Sequence, residues 1–130
     1  MPHRVKRNAR RLILLRLMID MMRGAYTAYF DDDNLASNSD LLLLCMAVGV
    51  GQMEGKPMSA LKLAQYIGMP RPTAMRKLAE LQALGLIQRP TRSKYTFGIL
   101  ETPSPVHARV IAALDRRVRD ASTELSRLDT

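Results

Sequence analysis

Residues 58–97 read MSALKLAQYIGMPRPTAMRKLAELQALGLIQRPTRSKYTF, and the order of signals within them decides the fold. Ser59 stands as an N-cap before a short helix over residues 60–67, and Gly68 takes the place of a left-handed C-terminal residue. Pro70 and Pro72 bracket the start of a second helix that runs to about Leu84, where Gly85 stops it. Two short β-prone pieces follow, residues 86–89 and 95–97, around a polar turn at residues 90–94. Helix, tight turn, helix and β-hairpin, in that order, make a winged helix-turn-helix.

The side-chain pattern agrees with the order. Leu63, Ala64 and Ile67 put apolar groups on one face of the first helix, and Met69 falls in the turn, where one buried side chain is needed. Ala74, Leu78 and Leu81 form an i, i+4, i+7 face on the second helix. Small Ala64 and Ala74 let the two helices approach closely. The other side of the second helix carries Thr73, Arg76, Lys77 and, a turn later, Glu80.

Upstream, the Ser37-Asn38-Ser39-Asp40 cluster offers N-caps for an apolar helix from about Asp40 to Gln52 or Glu54, ended by Gly55, Lys56 and Pro57. A long helix is expected from about Arg4 to Phe30. Apolar residues recur along it at gaps of three and four, through Val5, Ala9, Leu12, Leu15, Ile19, Met22, Tyr26 and Tyr29. Ile13, Leu14, Leu17, Met18 and Met21 widen that stripe beyond half the circumference, so the helix must be covered on more than one side. A second subunit is the expected cover. At the other end, Ser104 as cap and Pro105 at the first helical position open a last helix. Its seam of Val110, Leu114, Val118, Ala121, Leu125 and Leu128 suits packing beside another helix. The expected architecture is mainly α. Residues 1–36 form an N-terminal dimerisation helix, residues 37–100 a winged helix-turn-helix, and residues 101–130 a C-terminal dimerisation helix.

Charge is segregated along the chain. Residues 1–30 hold seven Lys or Arg and one acid, residues 31–55 five acids and no base, and residues 56–100 eight bases and one acid, Glu80. With a net charge of +8, the basic motif segment suits a phosphate-bearing partner, the plainer alternative being a solvated charged face. The basic start, with His3, Arg4, Lys6, Arg7, Arg10 and Arg11, reads equally as an extra DNA-contacting arm or as the polar end of the first helix.

Length allows one domain with a modest core. A single cysteine forms no internal disulfide, and Cys45, mid-helix in an apolar run, reads as an inert buried thiol rather than a redox sensor. Nine methionines fit gap-filling in the core better than a ligand pocket. His3 and His107 are isolated, and the aspartates at 31–33 lack the register of a cation loop, so no metal or cofactor is expected. No nucleophile–base pair or phosphate loop is visible, which argues against an enzyme. Arg16 and Asp20 interrupt the apolar run of residues 12–22, against a secretory signal. The uncharged run at residues 41–50 covers only half of the ~20 residues a membrane helix needs. A soluble, cytoplasmic, nucleoid-associated protein without a membrane partner is expected.

Residues 41–89, LLLLCMAVGVGQMEGKPMSALKLAQYIGMPRPTAMRKLAELQALGLIQR, resemble the core of MarR-type bacterial regulators. The carrying residues are Leu63-Ala64, Ile67-Gly68-Met69, Thr73-Ala74, Leu81 and Gly85-Leu86-Ile87, and the flanking helices resemble that family's dimerisation region. The resemblance implies a recognition helix at about residues 71–84 in the major groove and a wing at about 86–98. It places Arg71, Thr73, Arg76 and Lys77 toward double-stranded DNA, with Arg76 reading bases and Lys77 a phosphate. At the wing tip, Arg92, Ser93 and Lys94 would meet phosphates or the minor groove. Leu12, Leu15, Ile19, Met22, Leu114, Val118 and Leu125 would pair two copies on a pseudo-palindromic site. A small lipophilic effector between the first and last helices is a further candidate partner, although no residue pattern identifies one. The sequence departs from the family at Pro70, where a capping Ser is usual, at Pro72, which removes a backbone donor, and in a short wing without the Asp-x-Arg element. Those departures keep a second reading open, a winged-helix module that docks on another protein.

Overall fold

A computed structural model describes residues 3–30, 32–91, 94–97 and 105–130. They form two units, one of Met1–Leu35 with Pro105–Thr130 and one of Ala36–Ser104. The elements run α1 (His3–Tyr29), α2 (Leu35–Met53), α3 (Ala60–Ile67), α4 (Arg71–Ala83), β1 (Ile87–Thr91), β2 (Lys94–Phe97) and α5 (Pro105–Arg127). The chain is mainly α, a winged helix-turn-helix with long terminal helices, as the sequence leads one to expect.

In the second unit, α3 packs on α4, and α4 on β1. Ser59 Oγ accepts from the Lys62 N–H at 3.3 Å and caps α3. Gly68 sits at φ 74°, ψ 44°, so its N–H and that of Met69 both return to the Ala64 carbonyl and the chain turns sharply into α4. Residues other than glycine rarely adopt that conformation because Cβ crowds the neighbouring carbonyl. Leu41, Leu42, Leu44, Cys45 and Val48 of α2, with Leu63, Ala74, Leu78, Leu81 and Ile87, are all almost fully buried. By length and composition α2 could cross a membrane, but the burial of these side chains gives it the character of a core helix.

Two boundaries differ from expectation. The second helix starts at Leu35 rather than Asp40, with a break at Asn38 (φ −123°, ψ 19°). Short polar side chains such as those of residues 37–40 compete for backbone groups and disfavour continuous helix there, and the Asp40 carboxylate accepts from the Leu41 N–H at 2.8 Å. The wing strands are also longer than expected. β1 runs through Pro90 to Thr91 and pairs antiparallel with β2, with Ile87 opposite Phe97, Gln88 opposite Thr96 and Thr91 opposite Lys94. Proline is tolerated in such a ribbon where no ladder bond needs its missing N–H, and the register shifts between Gln88 and Thr91 as at a bulge. The Tyr95 N–H donates to the Met58 carbonyl at 3.3 Å, fastening the wing to the loop before α3.

In the first unit, α1 and α5 lie antiparallel. Arg10 pairs with Asp129 at 2.6 Å and Arg117 with Asp20 at 3.0 Å. The Leu114 side chain fits against Gly24, with Cδ2 only 2.8 Å from where a Cβ would stand. The ion pairs are solvent-exposed and contribute little, so apolar contact holds the hairpin together. At the end of α1, Tyr26 stacks on Phe30 with ring centroids 4.5 Å apart. The Tyr26 hydroxyl donates to Asp32 at 2.5 Å, and the Asn34 N–H donates to the same carboxylate at 2.8 Å. Both bonds favour the ionised form and hold Asp32 below the usual carboxylate pKa.

Candidate nucleic-acid interface

The candidate surface is the side of α4 that the core leaves bare. Ala74, Leu78 and Leu81 are fully buried and fix the inner face of that helix. At 3.6 residues per turn, Arg76 points about 170° away from the centre of that row. Arg71 and Arg76 are exposed, and among the described residues neither is paired with a carboxylate. Thr73 is half-buried, about 60° round the helix from Arg76.

Lys77 is placed differently from its neighbours. It lies on the flank of α4, its side chain is 19% exposed, and Nζ is 3.4 Å from Asp40 of α2 and 3.8 Å from Glu80. Lys77 therefore ties α4 to α2 through Asp40 and offers less free charge than Arg76. The link to Asp40 has no local sequence signal, since the two residues are 37 positions apart and meet only in the folded unit.

The outer row reveals further residues. Pro72, Ala79 and Ala83 are exposed and flank Arg76 on the outward face. Their spacing from Arg76, at minus four, plus three and plus seven, was legible in the sequence; attention to charge alone passes over them. Small side chains beside a long arginine leave a low ridge, so the helix backbone can come close to a partner. An alanine methyl can also meet a thymine methyl.

On the wing, Lys94 is exposed at the start of β2. Arg89 lies over the Tyr95 ring, with Cζ 5.3 Å from its centroid, and so adds positive charge at a held position. Arg92 and Ser93, the expected wing tip, lie outside the described residues. Pro70 precedes α4 without a side-chain cap, its carbonyl accepting from the Ala74 N–H at 3.0 Å.

The residues expected to pair subunits fall into two groups. Leu12, Leu15, Ile19 and Val118 are 48%, 56%, 58% and 44% exposed, and Met18 next to them is 55% exposed. Met22, Leu114 and Leu125 are half-buried, and Leu114 is engaged with Gly24 of its own chain. An open cleft of about 400 Å³ runs along this hairpin, lined by Leu12, Ile13 and Leu17 but also by Arg16, Asp20 and Arg117. Among the described residues, no group of three or more His, Cys, Asp or Glu could hold a metal ion.

The exposed candidate residues thus come from α4 and the wing ribbon. Residues 53–90 match the IclR helix-turn-helix domain. This segment is a winged helix-turn-helix of the DNA-binding transcription-regulator class. The match takes in α3, α4 and most of β1, and it supports that class without singling out the MarR type. No curated protein and no solved structure matches the chain.

Proposed function

We propose that the chain is a sequence-reading regulator of transcription that binds double-stranded DNA as a homodimer on a pseudo-palindromic site. The observation that carries this reading is Arg76, unpaired among the described residues and opposite the buried row of α4, in a row of otherwise small side chains. A helix of that profile enters the major groove, where a guanidinium pairs with guanine O6 and N7. Arg71 and Thr73, in the first turn, contact phosphates. Lys77 contributes secondarily, because Asp40 and Glu80 already hold it. The wing, with Lys94 and the flanking Arg92 and Ser93, meets the backbone or minor groove.

Self-association follows from an uncovered face. One side of α1 is spent on α5, yet Leu12, Leu15, Met18 and Ile19 remain about half exposed on another side. Leu12, Leu15, Ile19 and Met22, with Val118 of α5, meet the same residues of a second copy across a two-fold axis. Leu114 and Leu125 support that surface from within the hairpin. A lipophilic effector in the cleft would rest on Leu12, Ile13 and Leu17 with charged groups at its edges. A cytoplasmic, nucleoid-associated location accompanies this role.

The alternative is a module that docks on a protein, and one observation favours it: Leu43, Met46 and Met53 are exposed on one side of α2. Fluorescence anisotropy on labelled duplexes separates the readings. Replacing Arg76 and Lys77 together by Ala abolishes specific duplex binding under the regulator reading. Under the alternative, wild type and variant behave alike toward every duplex.

A further inference from the structure

The first three turns of α1 carry His3, Arg4, Lys6, Arg7, Arg10 and Arg11 and no acid. At 3.6 residues per turn these six residues fall within an arc of about 160°, so they form one face. His3, Arg4, Arg7 and Arg11 are exposed, and Lys6 and Arg10 partly so. Asp129 engages Arg10, but among the described residues no carboxylate pairs with Arg4, Lys6, Arg7 or Arg11.

A merely solvated face has no reason to look like this. Like charges at i, i+3 and i, i+4, as at Arg4 with Arg7, Lys6 with Arg10 and Arg7 with Arg11, repel one another along the helix. Cations in a first turn also oppose the helix dipole. The charged side of α5 shows the ordinary solution, with Arg119 paired to Asp115 at 2.9 Å and acids interleaved with bases. The start of α1 therefore carries an arrangement that weakens its own helix, and a polyanion would relieve it.

We propose that this face is a second phosphate-binding site for duplex DNA, separate from α4 and the wing. It rests on the reading of the chain as a DNA-binding protein. Arg4 to Arg11 span about 10 Å of helix, comparable with three phosphates at about 3.4 Å of duplex axis per strand. The contact is sequence-blind and adds affinity and salt dependence without adding preference. A membrane surface is disfavoured by the layout. The exposed apolar residues Leu12, Leu15, Met18 and Ile19 follow the basic residues along the helix, and Met18 falls on the basic side. Charged and apolar surface therefore do not divide one stretch of helix into two opposed faces, as an interfacial helix would need.

The test replaces Arg4, Arg7 and Arg11 by Gln in the full chain, sparing Arg10, which holds Asp129. Binding is measured against salt on a selected site and on random duplex. The slope of log K against log salt should fall by about two to three, with equal loss on both duplexes and unchanged preference between them. The helix content should persist, with a melting temperature at or above that of wild type, because repulsion has been removed. An unchanged slope while wild type still binds its selected site overturns the second contact and leaves the regulator reading standing. So does a variant that keeps DNA binding but loses binding to phosphatidylserine-containing vesicles. If the wild-type chain binds no duplex at all, the regulator reading falls and this inference with it.

Discussion

Changing Leu15 and Ile19 together to Glu should split the proposed dimer and leave each chain folded. The two residues lie one turn apart on α1 and are 56% and 58% exposed within a single chain. Full burial of a Leu or Ile side chain contributes about 1.5–3 kcal/mol, so covering the exposed half contributes about 1 kcal/mol per residue. A two-fold interface uses each residue twice. Four side chains then account for about 4 kcal/mol, or about a thousandfold in the dimer Kd, before any cost of burying carboxylates. Sedimentation velocity over a concentration series reads the effect, with far-UV circular dichroism and thermal melting as folding controls. Helix content should hold, because the contacts within the hairpin, such as Leu114 on Gly24, are untouched. The choice of residues matters. Charges at Leu114 and Leu125 would disrupt the hairpin itself and confuse dissociation with unfolding. A wild-type chain that sediments as a monomer, or a variant that associates as tightly as wild type, would rule out this interface.

Other perturbations act on separate parts of the molecule. Gly68→Ala forces a Cβ into the left-handed region at φ 74° and should cost about 1–2 kcal/mol, seen as a lower urea midpoint with an unchanged slope. Burial raises the Cys45 thiol pKa to about 12 from an ordinary value of 9.0, so native protein should resist alkylation at pH 8 and react fully once unfolded. The same shift means that above pH 9 the unfolded chain releases a proton the folded chain retains. Stability should therefore decline as pH rises from about 9 toward 12, measurable by denaturant titration. Ala79→Leu raises the outer ridge of α4 without touching the core, and should weaken duplex binding at least tenfold in anisotropy titrations while leaving the melting temperature unchanged.

The winged-helix segment was the most legible part of the chain because its signals are local. Ser59, Gly68 and Gly85 punctuate it, and the Ala74, Leu78, Leu81 spacing defines the inner face of α4 and hence the position of Arg76. What could not be read depended on distant partners. Lys77 looks like a free cation until Asp40 is brought beside it. The apolar seam of α5 looks like an interface between chains, whereas Leu114 seats on Gly24 of its own α1. Periodicity shows that a face is apolar but not what covers it. The first helix illustrates both sides of this limit, since its wide stripe implied two covers and the hairpin supplies one of them. The wing is longer than the sequence signals suggest because Pro90 reads as a turn, while a two-stranded ribbon has room for it.

Under the proposed function, Arg76 on the bare face of α4 reads bases. This role is tested most directly by selecting bound duplexes from a random pool with wild type and Arg76→Ala in parallel. Wild type should enrich an inverted repeat containing guanine in each half-site. The variant should keep weak, salt-sensitive binding and lose that enrichment, since a bidentate pair discriminates by about 1–3 kcal/mol per half-site. Enrichment of the same sequence with the same affinity by both proteins, or of no sequence by wild type, would contradict it.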